Sequence, residues 1–288
     1  MPELPGARHR LVDAGEMRLH LAELGPEAAP AVLLVHGWPQ SWWCWRRVAP
    51  LLAGDLRCLM CDLRGFGWSE APTGGYEKER LAGDLAGLLA ALELDRVYYV
   101  GHDWGAFIGF LLAFRRPEAI AALLALSIPH PWFSRHDRLS PPRLAAFAYQ
   151  LPLASPLGGA LARRGLTTRV LKAASAPGTF EPGDLAIYEA TMGSAGGART
   201  TVAMYRTFLL REVVPIALGR YAGERVEMPA RLVVGDEDLT VRGADLRGHE
   251  RNAPRLEVER VVGAGHFLPE ERPELVAARA RELFAAAS

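Results

Sequence analysis

The stretch Val97-Tyr98-Tyr99-Val100-Gly101-His102-Asp103-Trp104-Gly105-Ala106 constrains the fold of this chain more than any other. A run of β-branched and aromatic residues stops at Gly101, and an apolar segment of helical character begins at Trp104. The pattern predicts a strand, a sharp turn and a helix, with small residues on both sides of Asp103 that let the chain bend tightly. Such a turn lifts its central side chain clear of the carboxyl edge of a sheet. Here that side chain is a carboxylate. Taken alone, Gly-x-Asp-x-Gly is a short pattern, and an Asp is favoured near a helix N-terminus anyway.

In chain order, His9 to Leu24 reads as two short strands around Ala14-Gly15-Glu16. Ala31 to Val35 is a continuous apolar run, as expected of a strand covered on both faces. It ends in His36-Gly37-Trp38-Pro39-Gln40, and a helix is expected from about Ser41 to Leu52. Arg57 to Asp62 is the next strand, with a glycine-rich exit loop from Arg64 to Ser69. Glu79 to Leu94 is helical by periodicity, with Leu81, Leu85, Leu88, Leu89 and Leu92 on one face. The helix from Trp104 to Arg115 is stopped by Pro117, and the strand Ala121 to Ile128 follows. This alternation calls for a parallel sheet with right-handed crossovers and ligands at the strands' carboxyl ends.

The alternation lapses from about Pro131 to Val214, where helical stretches are separated by Pro141-Pro142, Pro156-Leu157-Gly158-Gly159, Pro177-Gly178 and Gly193 to Gly197. This predicts a helical cap, residues 131–214, inserted into an α/β core made of residues 1–130 and 215–288. Strand character returns at Ala230 to Gly235 and at Leu256 to Val262, and a closing helix runs from Pro273 to about Ala286.

With 33 basic and 33 acidic residues, no basic field invites nucleic acid or an anionic membrane. Lys78 and Lys172 are the only lysines; with the many alanines, this suggests a GC-rich bacterial genome. The N-terminal segment has no apolar h-region, and Ile120 to Ile128 is far shorter than the roughly 18 residues that span a bilayer. A cytoplasmic location is therefore expected. Cys58 and Cys61 lie three apart on a predicted strand and point to opposite faces. They suit neither a disulfide nor half of a zinc site.

Two late strands end in polar residues: Gly235-Asp236-Glu237-Asp238, then Gly263-Ala264-Gly265-His266-Phe267. With Asp103, the chain order is nucleophile, acid, histidine, the order of an α/β-hydrolase triad. Through these motifs, His36-Gly37-Trp38-Pro39 and the run Gly265-His266-Phe267-Leu268-Pro269-Glu270-Glu271-Arg272-Pro273, nearly the whole chain resembles the α/β-hydrolase superfamily. It is similar in particular to the epoxide hydrolases and their dehalogenase relatives. The resemblance implies an α/β-hydrolase fold, a mostly parallel sheet with helices on both faces. It favours Asp238 over Asp236 as the acid. His36 and His102 are expected to hold loops through ring hydrogen bonds.

A carboxylate nucleophile narrows the chemistry. Attack by Asp103 on an ester or amide carbonyl would give an anhydride, which gains nothing. Attack on an sp³ carbon bearing a leaving group gives an alkyl-enzyme ester, which water activated by His266 and Asp238 can hydrolyse. By position and by similarity to the family, the backbone N–H groups of Trp38 and Trp104 are the oxyanion donors. The Trp38-Pro39 peptide is expected to be cis so that the Trp38 N–H faces the site.

Phe147-Ala148-Tyr149-Gln150-Leu151 and Met204-Tyr205-Arg206-Thr207-Phe208 look like the two tyrosine-bearing cap segments of epoxide hydrolases. Tyr205 shares a helix face with Val202, Phe208 and Leu209 and should point inward. Tyr188 matches nothing in that pattern. The resemblance implies substrate contacts for Trp38, Trp104, Tyr149, Tyr205 and Phe267, with no metal and no cofactor. Phe133, Phe147, Leu153 and Phe180 suggest a small hydrophobic epoxide. The alternatives are a haloalkane or haloacid dehalogenase and a silent hydrolase-fold binding protein. Against the first, Trp38 stands where haloalkane dehalogenases typically carry a halide-binding Asn. Oligomeric state is not legible, and a homodimer stays open.

Overall fold

The structure, a computed structural model, describes residues 1–132, 148–241, 244 and 246–287. Its strands are β1 (Arg8–Asp13), β2 (Arg18–Leu24), β3 (Ala31–Val35), β4 (Arg57–Cys61), β5 (Val97–His102), β6 (Ile120–Leu126), β7 (Ala230–Gly235) and β8 (Leu256–Val261). They form one sheet in the order β1-β2-β4-β3-β5-β6-β7-β8. The pairs β1–β2 and β2–β4 are antiparallel because a hairpin opens the chain, and every other pair is parallel.

Alternation along the central strands divides the core in two. On β3, Leu33 and Val35 face a cluster with Leu85, Tyr99 and Phe110, while Val32 and Leu34 face one with Trp42, Trp45 and Phe284. Cys58 and Cys61 fall on opposite sides of the sheet, and both are free thiols.

The longer helices are α1 (Lys78–Ala91), α2 (Trp104–Arg115), α3 (Pro182–Met192), α4 (Ala195–Thr207) and α5 (Pro273–Ala285). The helix expected over Ser41 to Leu52 is broken into a 3-10 turn at Trp42–Trp45 and a short helix at Ala49–Leu52. Pro50 is the reason, since it has no N–H to donate and fits only the first turn of a helix.

Between β6 and β7 the described residues form helices and no strand, including α3, α4 and shorter helices from Gln150 onward. Phe133, Phe147 and Pro141-Pro142 lie outside the described residues. The helix α4 runs into a π turn, Phe208–Glu212, and then into Val213–Ala217. Among the described residues, no helix is long and apolar enough to cross a membrane.

Candidate active site

β3 and β5 are neighbours and end level, with Val35 opposite Gly101. From β3 the chain moves outward to β4 and then crosses back to β5, so the loops leaving β3 and β5 diverge. Open α/β sheets place ligands in the crevice this reversal creates. His36-Gly37-Trp38 fills one side of it and Asp103 the other.

Asp103 sits on the turn with φ of 51°, a conformation uncommon for any residue but glycine. The turn closes because its neighbours lack side chains. A Cβ on Gly105 would lie 2.2 Å from the Val35 carbonyl oxygen, and one on Gly37 would lie 2.4 Å from Asp103 Oδ2. That close approach lets the Trp38 N–H donate to Asp103 Oδ2 at 3.0 Å, and the Trp104 N–H also donates to the carboxylate. The Trp38-Pro39 peptide is cis. Burial pushes the Asp103 carboxyl up to about 6, against the opposing pull of His266 and the two N–H donors.

His266 Nε2 lies 3.8 Å from Asp103 Oδ1, and its Nδ1 is 2.9 Å from Asp238 Oδ2. Asp238 is fully buried, and its Oδ1 accepts from the Thr240 N–H at 2.8 Å and the Thr240 hydroxyl at 2.7 Å. Burial alone would lower the His266 imidazole; the charge and hydrogen bond of Asp238 and the charge of Asp103 outweigh it and raise it to about 9. Asp236 is exposed and accepts from the Gly263 N–H, away from His266.

His36 and His102 hold loops of the frame. His36 bonds the Gly37 carbonyl through Nδ1 and accepts from the Leu63 N–H, while His102 Nε2 donates to the His266 carbonyl at 2.8 Å. Phe267 is fully buried, edge-on to His266 and against Phe180 and His102, so it packs directly on the histidine.

Tyr149 and Tyr205 come from separate helical segments and meet edge to face, with ring centroids 6.2 Å apart. Tyr205 is buried, and its ring stands 5.3 Å from Trp38 and 6.4 Å from Trp104. Tyr149 leaves 43% of its surface open. Burial pushes the Tyr149 phenol up to about 12 and the Tyr205 phenol well above its usual value, and the Asp103 charge adds to both. Both hydroxyls therefore stay protonated at neutral pH.

Several residues around this site escape sequence reasoning. Thr240 bonds Asp238 and comes within 3.2 Å of His266 Nδ1, yet a lone Thr after a strand carries no signal. Glu271 accepts the N–H groups of Gly265 and Phe267, which fixes the loop of His266. Tyr188 donates to Glu270 at 2.6 Å, and Arg46 bridges Glu270 to Asp184 of α3.

The sheet order, with a carboxylate on the turn after β5, an acid after β7 and a histidine after β8, defines an α/β-hydrolase. Residues 30–154 match the family described as alpha/beta hydrolase fold. The chain is 31% identical to the soluble epoxide hydrolase of Corynebacterium sp. (strain C12), over 93% of this chain and 94% of that protein. It is 30% identical to epoxide hydrolase 2 of Siraitia grosvenorii, over 92% and 94%. The epoxide hydrolase CorEH superposes with a TM-score of 0.85 at 28% identity, covering 98% of this chain and 100% of that one. Epoxide hydrolase VrEH1 from Vigna radiata does so with a TM-score of 0.84 at 26% identity, covering 99% and 100%. The chain belongs to the epoxide hydrolase family of the α/β-hydrolases, and it is a hydrolase.

Proposed function

We propose that this enzyme converts a small hydrophobic epoxide to a vicinal diol through an ester on Asp103. Asp103 Oδ1, the oxygen nearer His266, attacks one ring carbon. The carbon–oxygen bond breaks, and the departing oxygen takes a proton from Tyr149 or Tyr205. Oδ2, already bonded by the Trp38 N–H, becomes the ester carbonyl oxygen and later the oxyanion. His266 then passes its proton to the tyrosinate and, now neutral, removes a proton from water as the water attacks Cγ of Asp103; collapse expels the diol oxygen, which takes the remaining proton of that water and leaves the carboxylate and the imidazolium.

His266 is held protonated between two carboxylates in the free enzyme. Alkylation neutralises Asp103 and so removes one influence that keeps the imidazole charged. The base is thereby released in the step after the one that needs the nucleophile.

The observation that carries the epoxide reading is the pair of protonated phenols, Tyr149 against Tyr205, beside Asp103. An alkoxide needs a proton, whereas a halide leaves as a stable anion. In this reading residues 131–214 form a cap over the core of residues 1–130 and 215–288, although the helix Val213–Ala217 carries the cap's end past 214. The free, buried cysteines support a reducing, cytoplasmic setting, and the balanced charge argues against a nucleic-acid partner. Incubation with styrene oxide and, separately, a bromoalkane tests the reading. Diol from the first is expected; bromide from the second without diol from the first would assign a dehalogenase.

A further inference from the structure

Lys78 begins α1 and is fully buried. Its ammonium donates to Glu212 Oε2 at 2.7 Å, and its backbone N–H donates to Glu212 Oε1 at 2.8 Å. Glu212 closes the π turn that follows α4, where the Val213 N–H bonds the Phe208 carbonyl five residues back. Wide turns of this kind inside helices occur frequently at functional sites. This one sets Phe208 against Trp104 and Glu212 against Lys78. The Lys78 ammonium lies 4.6 Å from the centre of the Trp104 ring and 5.2 Å from that of Phe208, and Phe208 meets Trp104 edge to face at 4.8 Å.

The Trp104 indole N–H is directed at the Tyr205 hydroxyl. The ring packs with Phe107, Phe208 and Tyr205 around it and has the cation on its face. Stability does not account for the ion pair, since well-packed apolar residues of similar volume often do as well as a buried salt bridge. Glu212 also holds the first N–H of a fourteen-residue helix, so the ammonium is fixed to a rigid element.

We propose that Lys78 and Glu212 are positioning residues for the first chemical step: their ion pair seats the Trp104 indole, which holds Tyr205 where it protonates the opening epoxide oxygen. The proposal rests on the epoxide reading above. The Trp104 N–H that serves the second step is fixed separately, by its place at the start of α2. A loosened indole therefore affects ring opening and spares ester hydrolysis.

Single-turnover rapid quench with styrene oxide, following the alkyl-enzyme by intact mass and the diol by chromatography, tests this on K78M/E212Q. That pair of changes is electroneutral and keeps an acceptor for the Lys78 backbone N–H. Alkylation is expected to slow about 10- to 100-fold, with ester hydrolysis unchanged. If that variant does not fold, E212Q alone decides by the same split. Parent-like alkylation in a folded variant, or equal slowing of both steps, overturns the proposal. A parent enzyme that forms no diol sinks the epoxide reading itself, and this inference with it.

Discussion

His266 Nε2 stands 3.8 Å from Asp103 Oδ1, while its other ring nitrogen is tied to Asp238. The gap is wider than a hydrogen bond. One histidine thus stands between the carboxylate after β5 and the acid after β7.

If Asp103 carries the ester, the carbonyl hydrolysed is its own. A single turnover in isotopically labelled water should then deliver unlabelled oxygen, drawn from Asp103, into the diol. Solvent oxygen in the first-turnover product would mean direct attack by water and remove Asp103 from the nucleophile's role.

Alkylation needs Asp103 ionised, and burial raises that carboxyl to about 6. Below this pH the carboxylate fraction falls roughly tenfold per unit, so the alkylation rate should fall with it in acid and level off above. For His266, burial lowers the imidazole, but Asp238 and Asp103 raise it to about 9. In D103N one of those charges is gone, so an NMR titration should find His266 below its parent value. An unchanged His266 would contradict release of the base by alkylation.

Asp238 and Asp236 can be told apart by which step slows. D238N should cut ester hydrolysis by about 10³- to 10⁴-fold, because His266 loses its orienting partner, and the alkyl-enzyme should accumulate in quenched samples. D236N should leave both steps at the parent rate, since Asp236 is exposed and accepts from the Gly263 N–H, away from His266. Accumulation in D236N would reverse the assignment.

For the phenols, Y149F or Y205F alone should leave one donor and a partly active enzyme. The double replacement should slow alkylation on the order of 10²- to 10⁴-fold, the usual worth of general-acid assistance. Ester hydrolysis, which belongs to His266, should change much less. Epoxide opening at the parent rate in the double variant would end the role given to both tyrosines.

The sequence by itself determined the sheet architecture and the chemistry at its edge. Val97 to Val100 running into Gly101-x-Asp103 is a local pattern, as are the polar residues after Ala230 to Gly235 and after Leu256 to Val262. A parallel sheet brings strand ends level, so three residues far apart in the chain could be expected at one edge. The tertiary structure decided which groups meet. It set Asp238 and not Asp236 against His266, because two steps along a turn change the direction of a side chain. It set Phe267 edge-on against His266. It also brought Lys78 to Glu212, 134 residues away, and to the face of Trp104. Nothing around Lys78 in the sequence marks this, because burial by a distant segment leaves no trace in local composition. Periodicity and turn chemistry are written in neighbouring residues, whereas contacts between the inserted helices and the core depend on how separate surfaces fit.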